Sequence, residues 1–357
     1  MPQNIGWATQ DKTTPLSPFP FDRRALGPED ILIDIAFCGV CHSDVHQARD
    51  EFGGDLATLW PCMPGHEIVG TVSEVGDSVT EHAVGDRVGV GCMVYWGSDD
   101  QRGVEEEQYQ VPPAVFTYNG EDPVTGDVTL GGYSDQIVVH EHFALKIPEG
   151  LASEKAAPLL CAGVTTWSPL KRFEVGPGMT VAIAGIGGLG HIALQLAKAR
   201  GADRVIALTR DIEKADALRE LGADDVIDMT DDDAVADAEA SIDFILSTIP
   251  TPFDMKPYVS LLTVDGRLHS VGMLEPTIAD AIDYGALSMK RGSLSGSLIG
   301  SIAETREVLE FAAEHGVEPE IQVIPIDRIN EAFDDMVANE VRFRYVIDSS
   351  SLEGSRS

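Results

Sequence analysis

Val181-Ala182-Ile183-Ala184-Gly185-Ile186-Gly187-Gly188-Leu189-Gly190 is the stretch whose reading decides the fold of the second half of this chain. Its four small or branched apolar residues suit a strand buried on both faces. The glycines behind them permit a tight turn, a close backbone approach to a diphosphate and the packing of a helix against the strand. Because a helical stretch follows from His191 to Arg200, Gly185, Ile186, Gly187, Gly188, Leu189 and Gly190 stand where a dinucleotide lays its pyrophosphate on a helix N-terminus. Further along, Val205 to Leu208 and Phe244 to Ser247 predict strands, and Ile212 to Leu221 predicts a helix. Strands alternating with helices in this way predict a doubly wound parallel sheet.

The second of these strands ends Ala207-Leu208-Thr209-Arg210, with Lys214 close behind. A site for a bare ribose would place an acid here, about twenty residues past the glycine turn. A hydroxyl, a guanidinium and an ammonium instead accommodate a 2′-phosphate, so NADP(H) is expected ahead of NAD(H), with Asp211 tempering the preference.

The first half has a different texture. From about residue 30 to residue 148, short β-rich runs such as Ile31 to Ile35 and Ile68 to Gly76 alternate with glycine turns, which predicts an antiparallel, barrel-like domain. Four residues in and beside this region carry metal chemistry: Cys41 in Cys38-Gly39-Val40-Cys41-His42-Ser43-Asp44-Val45-His46, His66 and Glu67 in Pro64-Gly65-His66-Glu67, and Cys161 in Leu160-Cys161-Ala162-Gly163. Two thiolates, an imidazole and a carboxylate suit zinc, and such a set can leave one position open for water or substrate. A redox dithiol at Cys38 and Cys41 lacks the expected C-x-x-C turn opening a helix in a βαβ unit.

Several further patterns accompany these two motifs: Val84-Gly85-Asp86-Arg87-Val88-Gly89-Val90-Gly91-Cys92, Gly131-Gly132-Tyr133-Ser134, Ala157-Pro158-Leu159-Leu160-Cys161-Ala162-Gly163 and Val341-Arg342-Phe343-Arg344-Tyr345-Val346-Ile347-Asp348. Taken together, the chain resembles the zinc-dependent medium-chain alcohol dehydrogenases over nearly its whole length, most closely their cinnamyl alcohol dehydrogenase-like branch. The resemblance implies a GroES-like β-barrel catalytic domain over residues 1–157 and 301–357, and a Rossmann domain binding NADP(H) over 158–300. It further implies zinc held by Cys41, His66 and Cys161 with Glu67 as a fourth or alternating ligand, and a proton relay through Ser43, a cofactor ribose hydroxyl and His46. Asp44 is expected to accept from the free ring N–H of His66. Thr165, Thr248 and Val271 are expected to line the nicotinamide or ribose region, His42 to lie near the cofactor phosphates, and Trp60, Trp96 and Leu298 to be candidates for pocket walls.

The implied activity is hydride transfer between NADP(H) and a primary alcohol or aldehyde, in a homodimer. A polyol or sugar dehydrogenase, or a relative that binds nucleotide without turnover, is the alternative. One departure from the family pattern is clear. Its second zinc is held by four closely spaced cysteines, and the matching positions here, Gly97, Asp100, Gly103 and Gln110, offer no thiol. One catalytic zinc per chain and no structural zinc are therefore expected, with the lobe held by packing of Tyr95, Trp96 and Tyr109.

Composition bounds the rest. The 357 residues suit two domains. Cysteines at 38, 41, 62, 92 and 161 are odd in number and few, which argues against a disulfide framework. No basic head precedes an apolar segment at the start, and no apolar run approaches the roughly 18 residues of a membrane span, so a cytoplasmic protein with no membrane partner is expected. Fifty-nine acidic against 25 basic residues give a formal charge of −34, which disfavours nucleic acid as a partner. Acidic excess with lysine only at 12, 146, 155, 171, 198, 214, 256 and 290 suggests a cytosol of very high salt, where the Debye length falls to about 3 Å at 1 M.

Overall fold

The structure, a computed structural model, describes residues 3–98, 100, 102–272 and 284–356. The chain divides into two compact units, one formed by Met1–Cys161, Ser301–Glu314 and Glu318–Ser357, the other by Ala162–Gly300 and His315–Val317. The break lies just beyond position 157, so Cys161 belongs with the first unit. The reason is local packing: the 3-10 turn Ala157–Leu160 presses on the glycines of the strand before it, and a Cβ on Gly91 would sit 2.8 Å from the Leu160 carbonyl oxygen.

In the first unit, seven strands run in the order Ile321–Pro325, Arg344–Asp348, Asp30–Gly39, Ile68–Val75, Arg87–Val90 and Ala144–Lys146, with Gln136–His140 also paired to Asp30–Gly39. All neighbours are antiparallel except the first pair. The core beneath them is made by Ile31, Ile33, Val40, Ile68, Val88, Val90, Ile137 and Val139, all almost wholly buried. One register matters most for chemistry. Cys38 pairs with Ile68, which brings the end of one strand, leading to Cys41, beside the start of the next, where His66 and Glu67 stand. Gly39 is required at this crossing, because a Cβ there would lie 2.0 Å from Glu67 Oε2.

The lobe from Cys92 to Val111 has no thiol after Cys92, and other contacts tie it down; positions 99 and 101 lie outside the described residues. Trp96 is buried and packs on His142 at 4.9 Å between ring centroids, and edge-on to His140 at 4.6 Å and Phe143 at 5.0 Å. Arg102 covers its ring at 4.9 Å. Trp96 is thus a core residue of the lobe. Tyr95 joins the same stack, while Tyr109 is 46% exposed. A buried carboxylate does more than any ring: Glu107 Oε1 lies 3.0 Å from His142 Nε2, and Oε2 accepts from the Ile302 N–H at 3.3 Å, at the start of the helix Ile302–His315.

In the second unit six strands are all parallel, ordered Asp225–Asp228, Arg204–Thr209, Thr180–Ala184, Ile242–Ser247, Leu262–Ser270 and Ser293–Gly296. The order reverses between Thr180–Ala184 and Ile242–Ser247, the switch point of a doubly wound sheet, where ligands bind at the carboxyl ends of strands. Val181, Ala182, Ile183 and Ala184 are fully buried, as a strand with both faces covered requires.

Glu107→Ala should destabilise the fold by about 2–3 kcal/mol, the cost of stranding a buried donor or its charged partner, read as a lower denaturant midpoint. Burial alone would raise the Glu107 carboxyl, but the His142 contact and the backbone donors outweigh it and hold it below its ordinary range. A depressed native carboxyl stabilises above its unfolded pKa, about 4.3, and that contribution should vanish as pH falls through the lower native value. A midpoint unchanged by the substitution at neutral pH would refute this anchoring role.

Candidate metal centre and nucleotide turn

Cys41, His66, Glu67 and Cys161 bring one ligand atom each to within 4.8 Å of one another, and all four are buried. Cys41 caps the short helix His42–Ala48, His66 and Glu67 precede the strand Ile68–Val75, and Cys161 ends the turn Ala157–Leu160. His66 Nε2 lies 3.2 Å from Cys161 Sγ, while its other nitrogen, Nδ1, lies 3.0 Å from Asp44 Oδ1. Asp44 therefore holds the ring proton at Nδ1 and turns the Nε2 lone pair toward the thiols.

The buried thiols, imidazole and carboxylate of this cluster act strongly on one another. The Cys41 thiol is held well below its ordinary value, chiefly by the hydrogen bond from Cys161 and then by Arg344 against burial. The Cys161 thiol is pushed well above, by its contacts with Cys41 and Cys92 and by burial. One thiolate thus suppresses its neighbour, and a divalent cation among these donors would bring both to thiolate. Burial opposes a charge on the His66 ring, yet Asp44 and the nearby thiols raise its pKa well above the ordinary one. Burial pushes the Glu67 carboxyl up to about 7 even though Arg344 pulls it down. Two sulfurs, one nitrogen and one oxygen so close together fit zinc, whose bonds to such atoms are about 2.0–2.3 Å long.

Three neighbours of this cluster, and one of His46, had no role assigned from sequence. Arg344 pairs with Glu67 through both Nη2 and Nε, the latter at 3.2 Å, and both side chains are buried. The signal was an arginine beside the apolar run Tyr345-Val346-Ile347, which when buried needs a carboxylate partner inside the protein. Tyr133, fully buried, donates to Asp44 Oδ2 at 3.0 Å. Cys92 adds a third thiol beside Cys161. Glu51 Oε2 lies 2.6 Å from His46 Nδ1 on a part-exposed face. Ser43 Oγ is 3.7 Å from Cys41 Sγ, close to the cluster, and His42 lies next to it in the first turn of the same helix.

In the other unit, Gly185 has φ +84°, the left-handed conformation that glycine adopts without strain. A Cβ on Gly190 would meet the Gly185 carbonyl oxygen at 2.3 Å, so glycine there lets the helix Gly190–Ala199 begin directly on the turn. Ile186, Gly187, Gly188 and Leu189 complete it, with Gly187 exposed. The Thr248 hydroxyl donates to the Gly185 carbonyl, which ties the switch-point strand to the turn. Val271 follows the next strand and donates its N–H to the Ser247 carbonyl at 2.9 Å, while Thr165 is buried in the helix Ala162–Arg172. Thr209 ends its strand with its hydroxyl accepting from the Asp211 N–H at 3.0 Å. Arg210 is exposed, and Lys214 pairs with Asp211 at 3.0 Å. Residues 273–283 of this unit lie outside the described residues.

Comparison with known proteins agrees with both halves. Residues 27–149 match the alcohol dehydrogenase GroES-like domain, and residues 188–314 match the zinc-binding dehydrogenase family. The chain is 48% identical to a probable formaldehyde dehydrogenase, AdhA, of Bacillus subtilis over 93% of each sequence. It is 46% identical to the aldehyde reductase YahK of Escherichia coli, over 95% of this chain and 96% of that one. Among solved structures, a cinnamyl alcohol dehydrogenase of Helicobacter pylori complexed with NADP(H) superposes with a TM-score of 0.88 at 38% identity, covering 98% of this chain and 99% of that one. The chain belongs to the zinc-type medium-chain alcohol dehydrogenase family, with cinnamyl alcohol dehydrogenases among its neighbours.

Proposed function

We propose that this protein is a zinc-dependent oxidoreductase that interconverts primary alcohols and aldehydes with NADP(H). The observation that carries the proposal is the buried convergence of Cys41, His66, Glu67 and Cys161. Zinc held there would supply Lewis acidity toward a substrate oxygen, and NADP(H) would give or accept the hydride. The chain's own residues prepare that chemistry. Asp44 keeps the His66 proton at Nδ1. Glu51 holds the His46 proton at Nδ1 in the same way, which leaves His46 Nε2 as the accepting atom for a proton leaving the substrate hydroxyl through Ser43 and a cofactor ribose hydroxyl. Being part-exposed, His46 can pass that proton to water.

Thr209, Arg210 and Lys214 favour the 2′-phosphate because no carboxylate ends the strand Arg204–Thr209. Among relatives, an NADP-dependent alcohol dehydrogenase of Mycolicibacterium smegmatis is 44% identical over 97% of this chain. We assign one zinc per chain, a homodimeric assembly and a cytoplasmic location. No helix among the described residues is long and apolar enough to cross a membrane. A formal charge of −34 supports the reading that it works at high salt.

The purified protein should oxidise NADPH in the presence of aromatic or aliphatic aldehydes, faster than NADH, and a chelator should stop it. Turnover confined to sugars or polyols would replace this reading with the polyol one, and no turnover with any carbonyl substrate would refute it. Cys161→Ala should lose zinc and lower turnover by more than about 100-fold, beyond the usual effect of disturbing an outer-shell partner. A Cys161→Ala protein that keeps one zinc and normal activity would show the ligand assignment to be wrong. Activity and melting temperature should both climb toward molar KCl, as screening tightens from about 10 Å at 0.1 M to about 3 Å at 1 M. A flat response over that range would remove the salt adaptation.

A further inference from the structure

We infer that Tyr133 is a positioning residue of the metal centre, acting through Asp44 to fix the His66 ligand and the backbone that carries Cys41. The inference rests on the zinc reading of that centre, and it concerns a hydroxyl on a loop distant in sequence from every ligand. Asp44 is completely buried, and an ionised carboxylate has about four acceptor positions on its two oxygens. All four are filled. Oδ1 receives the Gly65 N–H at 3.2 Å and faces His66 Nδ1 at 3.0 Å. Oδ2 receives the Cys41 N–H at 2.8 Å and the Tyr133 hydroxyl at 3.0 Å. Three of the four donors are a metal ligand, the backbone of a ligand, and the residue directly before a ligand. The fourth is Tyr133, which ties the carboxylate to a loop that bears no ligand.

That loop is built as a rigid mount. On one side its backbone is laced to the segment before His66: Gly131 N–H donates to Met63 O at 2.8 Å, Gly132 N–H to Gly65 O at 2.8 Å and Tyr133 N–H to Pro64 O at 3.1 Å. No side chain fits at the seam, since a Cβ on Gly131 would meet the Pro64 carbonyl oxygen at 2.3 Å and one on Gly65 would meet the Tyr133 backbone and ring at 2.8 Å. On the other side Arg23 clamps the loop with its guanidinium, donating to the carbonyls of Leu130, Gly131 and Gln136 and to Ser134 Oγ. The Tyr133 ring is wholly buried and lies 6.4 Å from that of Phe333. Its hydroxyl is therefore delivered to Asp44 with little freedom. Removing the O–H alone takes a close donor from Oδ2 in a wholly buried site, where the Tyr118 hydroxyl is the other tyrosine near the carboxylate, so Asp44 can rotate and carry the His66 ring with it. Substitution of such an outer partner ordinarily costs about 10–100-fold in metal affinity.

The test compares Tyr133→Phe, which keeps the ring and its packing, with the wild-type holoenzyme. Zinc release to a chromophoric chelator should be about 10–100-fold faster in the variant. The thiolate-to-metal and d–d bands of the cobalt-substituted enzyme should shift, reporting altered ligand geometry directly. Placed in an Asp44→Asn background, Tyr133→Phe should add no further acceleration, because the two side chains act as one unit. Wild-type release rates and cobalt spectra in Tyr133→Phe would overturn the inference, and so would an undiminished effect in the Asp44→Asn background, which would mark a general loosening of the fold. A wild-type enzyme that binds no zinc at this centre would instead overturn the zinc reading beneath it.

Discussion

Burying four donors that could hold a metal, away from water, is the constraint on which the first unit depends. Charges in such a place are tolerable only when each is paired or hydrogen-bonded. The protein meets this demand with two carboxylates of opposite use. Asp44 is saturated by donors and points outward from the cluster, holding His66 and Cys41 in place. Glu67 points into the cluster and is paired on its far side with Arg344. Arg344 supplies positive charge that would otherwise be lacking, and draws the Cys41 thiol toward its anionic form. An Arg344 without Glu67, or the reverse, would leave an uncompensated buried charge, which costs about 3–5 kcal/mol.

Convergence of this kind also sets the backbone. Cys41, His66 and Cys161 come from three separate stretches, and each reaches the site over a glycine that a side chain would block: Gly39 against Glu67, Gly65 against the Gly131–Ser134 turn, and Gly91 against Leu160. In the second unit the same device serves a different ligand, with Gly190 seated on the Gly185 carbonyl. Close approach of backbones is therefore the shared solution, used once to gather side chains and once to expose backbone N–H groups.

Much of this was legible because it depends on local pattern. An apolar run before glycines marks a buried parallel strand and its turn, and thiol, imidazole and carboxylate in short motifs mark a metal set whatever encloses them. What stayed hidden depends on pairing across the fold. Tyr133 and Arg344 lay in recognisable motifs, yet only the register of Arg344–Asp348 on Asp30–Gly39, and the lacing of Gly131–Tyr133 to Met63–Gly65, bring them to the centre. Glu51 follows a helix turn whose geometry places it on His46, a contact that spacing alone leaves undetermined. Tyr109 is more exposed than an aromatic residue suggests, for a related reason. Aromatic character predicts a capacity for burial, and the fold gave the buried place to Trp96.

The lobe that follows Cys92 has contacts that could fix it without a structural metal. A metal tethers a loop by bonding several ligands at one point, offsetting the entropy of ordering the chain between them. Glu107 does part of this with its two oxygens, one on His142 and one on the first turn of a helix almost two hundred residues further along the chain. The Trp96 ring stacks on the His142 ring that Glu107 contacts, and Arg102 covers it. Arg102 is itself held by Glu29 at 2.8 Å. The lobe is thus fixed by a buried carboxylate and a capped aromatic cluster, interactions that a strongly acidic chain can make from the residues it has in excess. Only the buried member of that acidic population needs to be shielded. The exposed remainder interacts through solvent, where salt rather than packing sets its strength.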